Sequence, residues 1–192
     1  MRLYLMLLFL LPTGDLLAQE EPTLFGLKYN HMFSGTDFNS GYGINLEGRF
    51  GEFSINYAVL YNQLSSDTYY LYAGGGQAAS IYFFRKAIEE REALGIPLGI
   101  FCFLLPESVS FRIPISKPLE VGFYVAPYGF EFTKNRASEE EAFDISLEMG
   151  CRVYFQVGSW LYLMPQVGVK NLYGEDTIAV SSGFSIFVRT IK

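Results

Sequence analysis

The sequence predicts an all-β protein, a closed up-and-down antiparallel transmembrane β-barrel of about 8–10 strands. Its stretches of about ten residues alternate strictly, with apolar side chains on one face and charges kept to the other. Very short turns exchange with longer polar loops along the chain. The composition agrees: Phe (18), Tyr (14) and Gly (19) are abundant, as strands and tight turns require. Charged residues are 18%, below the roughly 25% of soluble domains. At 192 residues the chain accommodates one domain with a full core.

The first 18 residues read as a signal peptide, and residues 19–192 as the barrel domain. Arg2 supplies a positive start and Leu3–Leu11 an apolar run. Pro12 and Gly14 break that run, and Leu16-Leu17-Ala18 offers a cleavage point before Gln19. The run is shorter than the ~20 residues of a spanning helix. No Cys stands near the cut, so no lipid anchor is expected.

The strands follow in order. Thr23–His31 alternates Phe25, Leu27 and Tyr29 with Gly26, Lys28 and Asn30, and a polar loop from Ser34 to Ser40 is expected next. Gly41–Phe50 and Phe53–Asn62 form a hairpin across the two-residue turn Gly51-Glu52. After a loop at Gln63–Asp67, Thr68–Phe84 reads as one long aromatic strand kinked at Gly74-Gly75-Gly76. Those glycines are not a phosphate loop, because no Lys-Ser/Thr follows. Arg85–Leu94 is the only helix-like stretch, a charged linker. Leu94–Leu105 is apolar on both faces and reads as a strand buried on both sides, since Gly95, Pro97 and Gly99 disfavour a helix.

Pro106-Glu107 turns the chain into a strand with Val109, Phe111 and Ile113 on one face and Ser108, Ser110 and Arg112 on the other. Ser116-Lys117-Pro118 turns it again, into Leu119–Phe132. The longest polar loop, Thr133–Glu141, precedes the clearest strand of all. There Ile145, Leu147, Met149, Cys151, Val153, Phe155 and Val157 oppose Asp144, Ser146, Glu148, Gly150, Arg152, Tyr154 and Gln156. Gly158-Ser159, Trp160–Lys170, a loop at Asn171–Asp176 and a last strand to Arg189 complete the set. Across the strands Lys28, Glu47, Arg49, Arg112, Glu120, Glu148, Arg152 and Arg189 share the small-residue face. Both signs are present, which suits a narrow lumen filled by pairing.

Net charge −6 argues against a nucleic-acid partner. One histidine, His31, and two cysteines, Cys102 and Cys151, support neither a metal site nor a disulfide framework, and no cofactor is expected. No catalytic constellation stands out: His31 and Ser34 would point to opposite faces of a strand. The acidic run Ser138–Asp144 reads as a solvated loop, with a divalent cation or a partner as the alternative.

On these residues the chain resembles the small outer-membrane β-barrel proteins of Gram-negative bacteria, broadly OmpA/OmpX-like, from the signal peptide through Thr23–Thr190. The resemblance implies residence in the cell outer membrane with both termini in the periplasm. It implies outer-membrane lipid and lipopolysaccharide as surroundings and the barrel-assembly machinery as a partner. It implies a structural, adhesive or narrow-pore role without enzymatic activity, and it specifies no other protein partner. Two other classes stay open. One is a lipid-modifying barrel enzyme of the outer leaflet; the other is a secreted soluble lipocalin-like binder, with Leu94–Leu105 lining an apolar cavity.

Overall fold

The computed structural model describes residues 23–34, 37–63, 68–73, 75–135, 141–172 and 178–190. The predicted signal peptide lies outside them. Nine strands lie among the described residues: β1 (Leu24–Ser34), β2 (Asp37–Phe50), β3 (Phe53–Gln63), β4 (Thr68–Ala73), β5 (Ser108–Ser116), β6 (Leu119–Asn135), β7 (Glu141–Val157), β8 (Leu161–Leu172) and β9 (Ile178–Arg189). Two helices, α1 (Gly76–Glu89) and α2 (Gly95–Phe103), lie between β4 and β5. All pairings are antiparallel, and β9 returns to β1 from Leu24↔Arg189 to Phe33↔Val180, so the sheet closes on itself.

Nine strands make only eight positions in the wall, because β4 and β5 share one. β4 pairs with the loop-end half of β3 (Leu60↔Tyr72) and of β6 (Phe130↔Ala73). β5 pairs with the opposite half of each, at Asn56↔Ser108 and Val109↔Val125. One wall strand is thus cut at mid-height, and a helical hairpin emerges from the cut.

Alternation sets the two surfaces. Outward-pointing Leu27, Ile44, Phe123 and Val167 are each more than half exposed, while inward-pointing Lys28, Glu47, Arg152 and Ser185 are buried. An apolar exterior around a polar interior is the reverse of a soluble fold, and it is what lipid requires. A closed sheet also leaves no unpaired edge for the bilayer to desolvate. Short turns hold one end: Gly51-Glu52, Lys117-Pro118 and Gly158–Trp160. Gly51 (φ 58°) and Gly158 (φ 76°) adopt the left-handed backbone that such tight connections need.

Several expectations are corrected. Thr68–Phe84 is not one strand, since β4 stops at Ala73 and α1 begins at Gly76. Gly75 (φ 145°) marks a crossing of two chain segments: a Cβ there would lie 2.5 Å from the backbone of Glu107. Leu94–Leu105 is not a doubly buried strand either. It is largely α2, with Pro97 in the first turn, where its missing N–H costs nothing. The expected loops at Ser34–Ser40 and Thr133–Glu141 are shortened by strand pairing, as in Ser34↔Asp37 and Lys134↔Glu141. Residues 136–140, which include the first three of the acidic run, lie outside the described residues, as do 64–67 and 173–177, whereas Glu141–Asp144 open β7.

Candidate functional site

Among the described residues polar chemistry converges in the interior, and its arrangement follows from strand parity. Near the short-turn end, Arg49 donates to Glu47 (Nε–Oε1 2.8 Å) and to Glu120 (Nη1–Oε2 3.3 Å). Its guanidinium lies between the rings of Tyr154 and Tyr162, at 4.9 and 4.8 Å. Arg112 donates to Glu120 (3.0 Å) and to the carbonyl of Gly51 (2.5 Å), tying the first turn to the wall. Leu24, Met164 and Phe187 pack with the two tyrosines as a small apolar plug.

At mid-height, Arg152 is about 1% exposed. It donates to Ser108 Oγ (2.8 Å), Ser110 Oγ (2.9 Å) and Gln166 Oε1 (3.3 Å), and stands over the Tyr124 ring at 4.0 Å. Lys28 forms an ion pair with Glu107 across the lumen. Toward the loop end, Tyr124 (2.5 Å) and Ser181 (2.7 Å) both donate to Glu148 Oε1, and Lys170 pairs with Glu131.

Among the described residues, the interior charges therefore balance: Lys28, Arg49, Arg112, Arg152 and Lys170 against Glu47, Glu107, Glu120, Glu131 and Glu148. In so narrow a barrel, satisfied pairs fill the space that water would otherwise take. A cavity of about 320 Å³ remains at the short-turn mouth, lined in part by Arg49, Arg112, Glu120, Gln156, Tyr162 and Arg189. Arg49 and Tyr162 of the cation–π stack thus stand in its wall.

The expected lumen residues are brought together, with Arg189 at the rim and exposed. Three others join them that the sequence reading did not assign to the lumen. Glu107 was read as a turn residue, yet it points inward from the hairpin neck. Glu131 was hidden by a bulge between Ala126 and Gly129. Before the bulge the even-numbered residues Glu120, Gly122, Tyr124 and Ala126 face inward; after it Gly129 and Glu131 do. Lys170 follows the parity of Met164 and Gln166 and could have been found from it.

His31 faces outward beside Tyr29, whose hydroxyl lies 2.5 Å from its Nε2, with the rings edge to face at 4.7 Å. Its register partners are Ser40 and Ser182, not Ser34. Cys102 and Cys151 are free thiols on separate elements. No cluster of metal-ligating side chains occurs among the described residues.

No family model and no curated protein matches the chain. Solved structures do. The N-terminal β-barrel domain of OprF from Pseudomonas aeruginosa aligns with TM-score 0.54 and 7% identity, over 90% of this chain and 100% of that one. Ail, the attachment invasion locus protein of Yersinia pestis, aligns with TM-score 0.52 and 9% identity, over 88% of this chain and 97% of that one. Ail in complex with the heparin analogue sucrose octasulfate gives TM-score 0.51 at 9% identity, over the same shares. Identities this low establish the fold alone. The fold is that of the small eight-position outer-membrane β-barrels.

Proposed function

We propose that the protein is an integral outer-membrane β-barrel that works through its exposed surfaces, as a structural or adhesive element, rather than as a diffusion pore. One observation supports this above the others: an apolar exterior encloses an interior closed by paired charges and an aromatic plug. A solute entering from the short-turn mouth meets the Arg49–Tyr154–Tyr162 stack, then Arg152 and its serine partners. Opening that path means separating Arg49 from Glu47 and Glu120 and breaking the hydrogen bonds of the buried Arg152, which leaves buried charges unpaired.

On this reading both termini lie in the periplasm, with the short turns. Outer-membrane lipid and lipopolysaccharide surround the wall, and the barrel-assembly machinery inserts it. The reading gives His31 no catalytic part, since its Nε2 is engaged by a phenol on the lipid-facing side. A Ser nucleophile needs a base within reach and a group to orient that base.

Two measurements test it. The purified protein should migrate faster unheated than boiled on a detergent gel and should stay with outer membranes after carbonate washing. In planar bilayers it should give no resolved single-channel steps. Stable, frequent conductance would overturn the closed-interior reading, and carbonate release would overturn the membrane assignment. Phospholipid hydrolysis by the protein that disappears in His31→Ala would instead establish the enzyme class.

A further inference from the structure

We infer that the α1–α2 hairpin is itself embedded in the bilayer, lying against the outer wall with α2 among lipid acyl chains and the charged tip at headgroup level. The inference rests on the membrane-barrel reading and adds a lipid-binding element to it.

The hairpin is on the outside of the wall. Tyr82 stacks on Phe143 (4.7 Å) and meets Phe132 (5.5 Å), both outward-facing residues of β7 and β6. Arg85 stands over the Phe132 ring at 5.1 Å. The hairpin also climbs toward the loop end. It leaves the wall level with Phe130, whereas Tyr82 sits at Phe132↔Phe143, two residues nearer the loops. At 1.5 Å per residue, the rest of α1 adds roughly 10 Å in that direction.

Its chemistry is graded along that climb. Charges are confined to the tip, where Arg85 pairs with Glu89 and Lys86 with Glu90, followed by Arg91 and Glu92. α2 carries no charge. Ile96, Leu98, Ile100, Phe101, Phe103 and Leu104 are 41–63% exposed, continuous with the apolar outer surface of the barrel.

The backbone is treated as a water-free site demands. Gln77 Nε2 donates to the carbonyls of Phe103 (3.1 Å) and Leu105 (2.9 Å), and Gly76 N donates to Leu105 O (3.1 Å). The C-terminal carbonyls of α2, which water would serve on a soluble protein, are thereby partnered from within. The two helices meet as membrane helices do. Gly95 and Gly99 stand four apart, and a Cβ at either would lie 2.6 Å from Phe83 O or 2.7 Å from the Phe84 ring. Neither helix is long and apolar enough to cross a bilayer. The hairpin therefore leaves the wall, reaches one face of the bilayer with its tip and returns to the wall.

Single-tryptophan variants in a Trp160→Phe background, reconstituted in phosphatidylcholine vesicles with bromine-labelled acyl chains, test the inference. Val169→Trp on β8 reports the wall, Ile100→Trp and Leu98→Trp report α2, and Glu92→Trp reports the tip. Each variant is first checked for heat-modifiable migration. The expected result is strong quenching of both α2 reporters by mid-chain bromines, comparable to Val169→Trp, with Glu92→Trp quenched only by bromines near the headgroup. Quenching of Val169→Trp alone, with the α2 reporters open to aqueous acrylamide, overturns the inference and leaves the barrel standing. α2 reporters shielded from both quenchers place a second protein surface on the helix and also overturn it. Loss of quenching at Val169→Trp as well means that the membrane-barrel reading itself has failed.

Discussion

Lys28 and Glu107 show how single side chains are used here. The pair bridges β1 and the hairpin neck across the lumen, with both side chains nearly inaccessible. Removing one partner strands the other charge, whereas replacing both with apolar groups does not. Lys28→Ala should therefore lose about 3–5 kcal/mol of unfolding free energy, read by urea titration in lipid vesicles. Lys28→Met combined with Glu107→Leu should recover most of that loss. Tyr124→Phe removes one donor to Glu148 but leaves Ser181 in place. Its cost should be about 1.5–3 kcal/mol by the same titration, the range for hydrogen bonds to a charged group.

At the scale of elements, the interrupted fourth wall position is the unusual feature. Tyr72 lies opposite Leu60 and Ser108 opposite Asn56, so only Tyr57, Ala58 and Val59 separate the two half-strands on β3. Ala73 takes one of those places, which leaves room for two more residues. Replacing residues 74–107 by a two-residue extended link should therefore join β4 and β5 into one strand and keep heat-modifiable migration. A protein that no longer folds would show that the neck, with Glu107, is needed to close the wall. Gly99→Leu should act more locally, because its side chain would run into the Phe84 ring. The barrel should stay heat-modifiable while cleavage by trypsin at Arg91 becomes faster. Both variants separate the wall, held by backbone ladders, from the hairpin, held by close helix contact.

For the whole molecule, the decisive property is the inversion of inside and outside. Interior charges of both signs cancel locally, so the closed lumen needs little water and little net field. Arg49 and Tyr162 line the interior cavity at the short-turn mouth. Arg49→Ser with Tyr162→Ala should thus create measurable conductance in planar bilayers, where the parent protein is expected to give none. Absence of any change would place the barrier deeper, at Arg152 and its serine partners.

Strand alternation is a local property, so the sequence alone determined the face on which Glu148, Arg152, Glu47 and Lys28 lie, and with it the barrel and its charged lumen. The short turns were equally legible, because Gly51 and Gly158 signal their backbone directly. Other features depended on distant pairing. Glu131 changed sides at a bulge that only registration with β7 defines. Leu94–Leu105 has the composition of a buried strand, and only packing of Gly95 and Gly99 against Phe83 and Phe84 fixes it as a helix outside the wall. A uniformly apolar stretch has no period to read, so its place is set by what it packs against. The tertiary structure alone could show that this segment lies on the outside of the wall and not in a cavity.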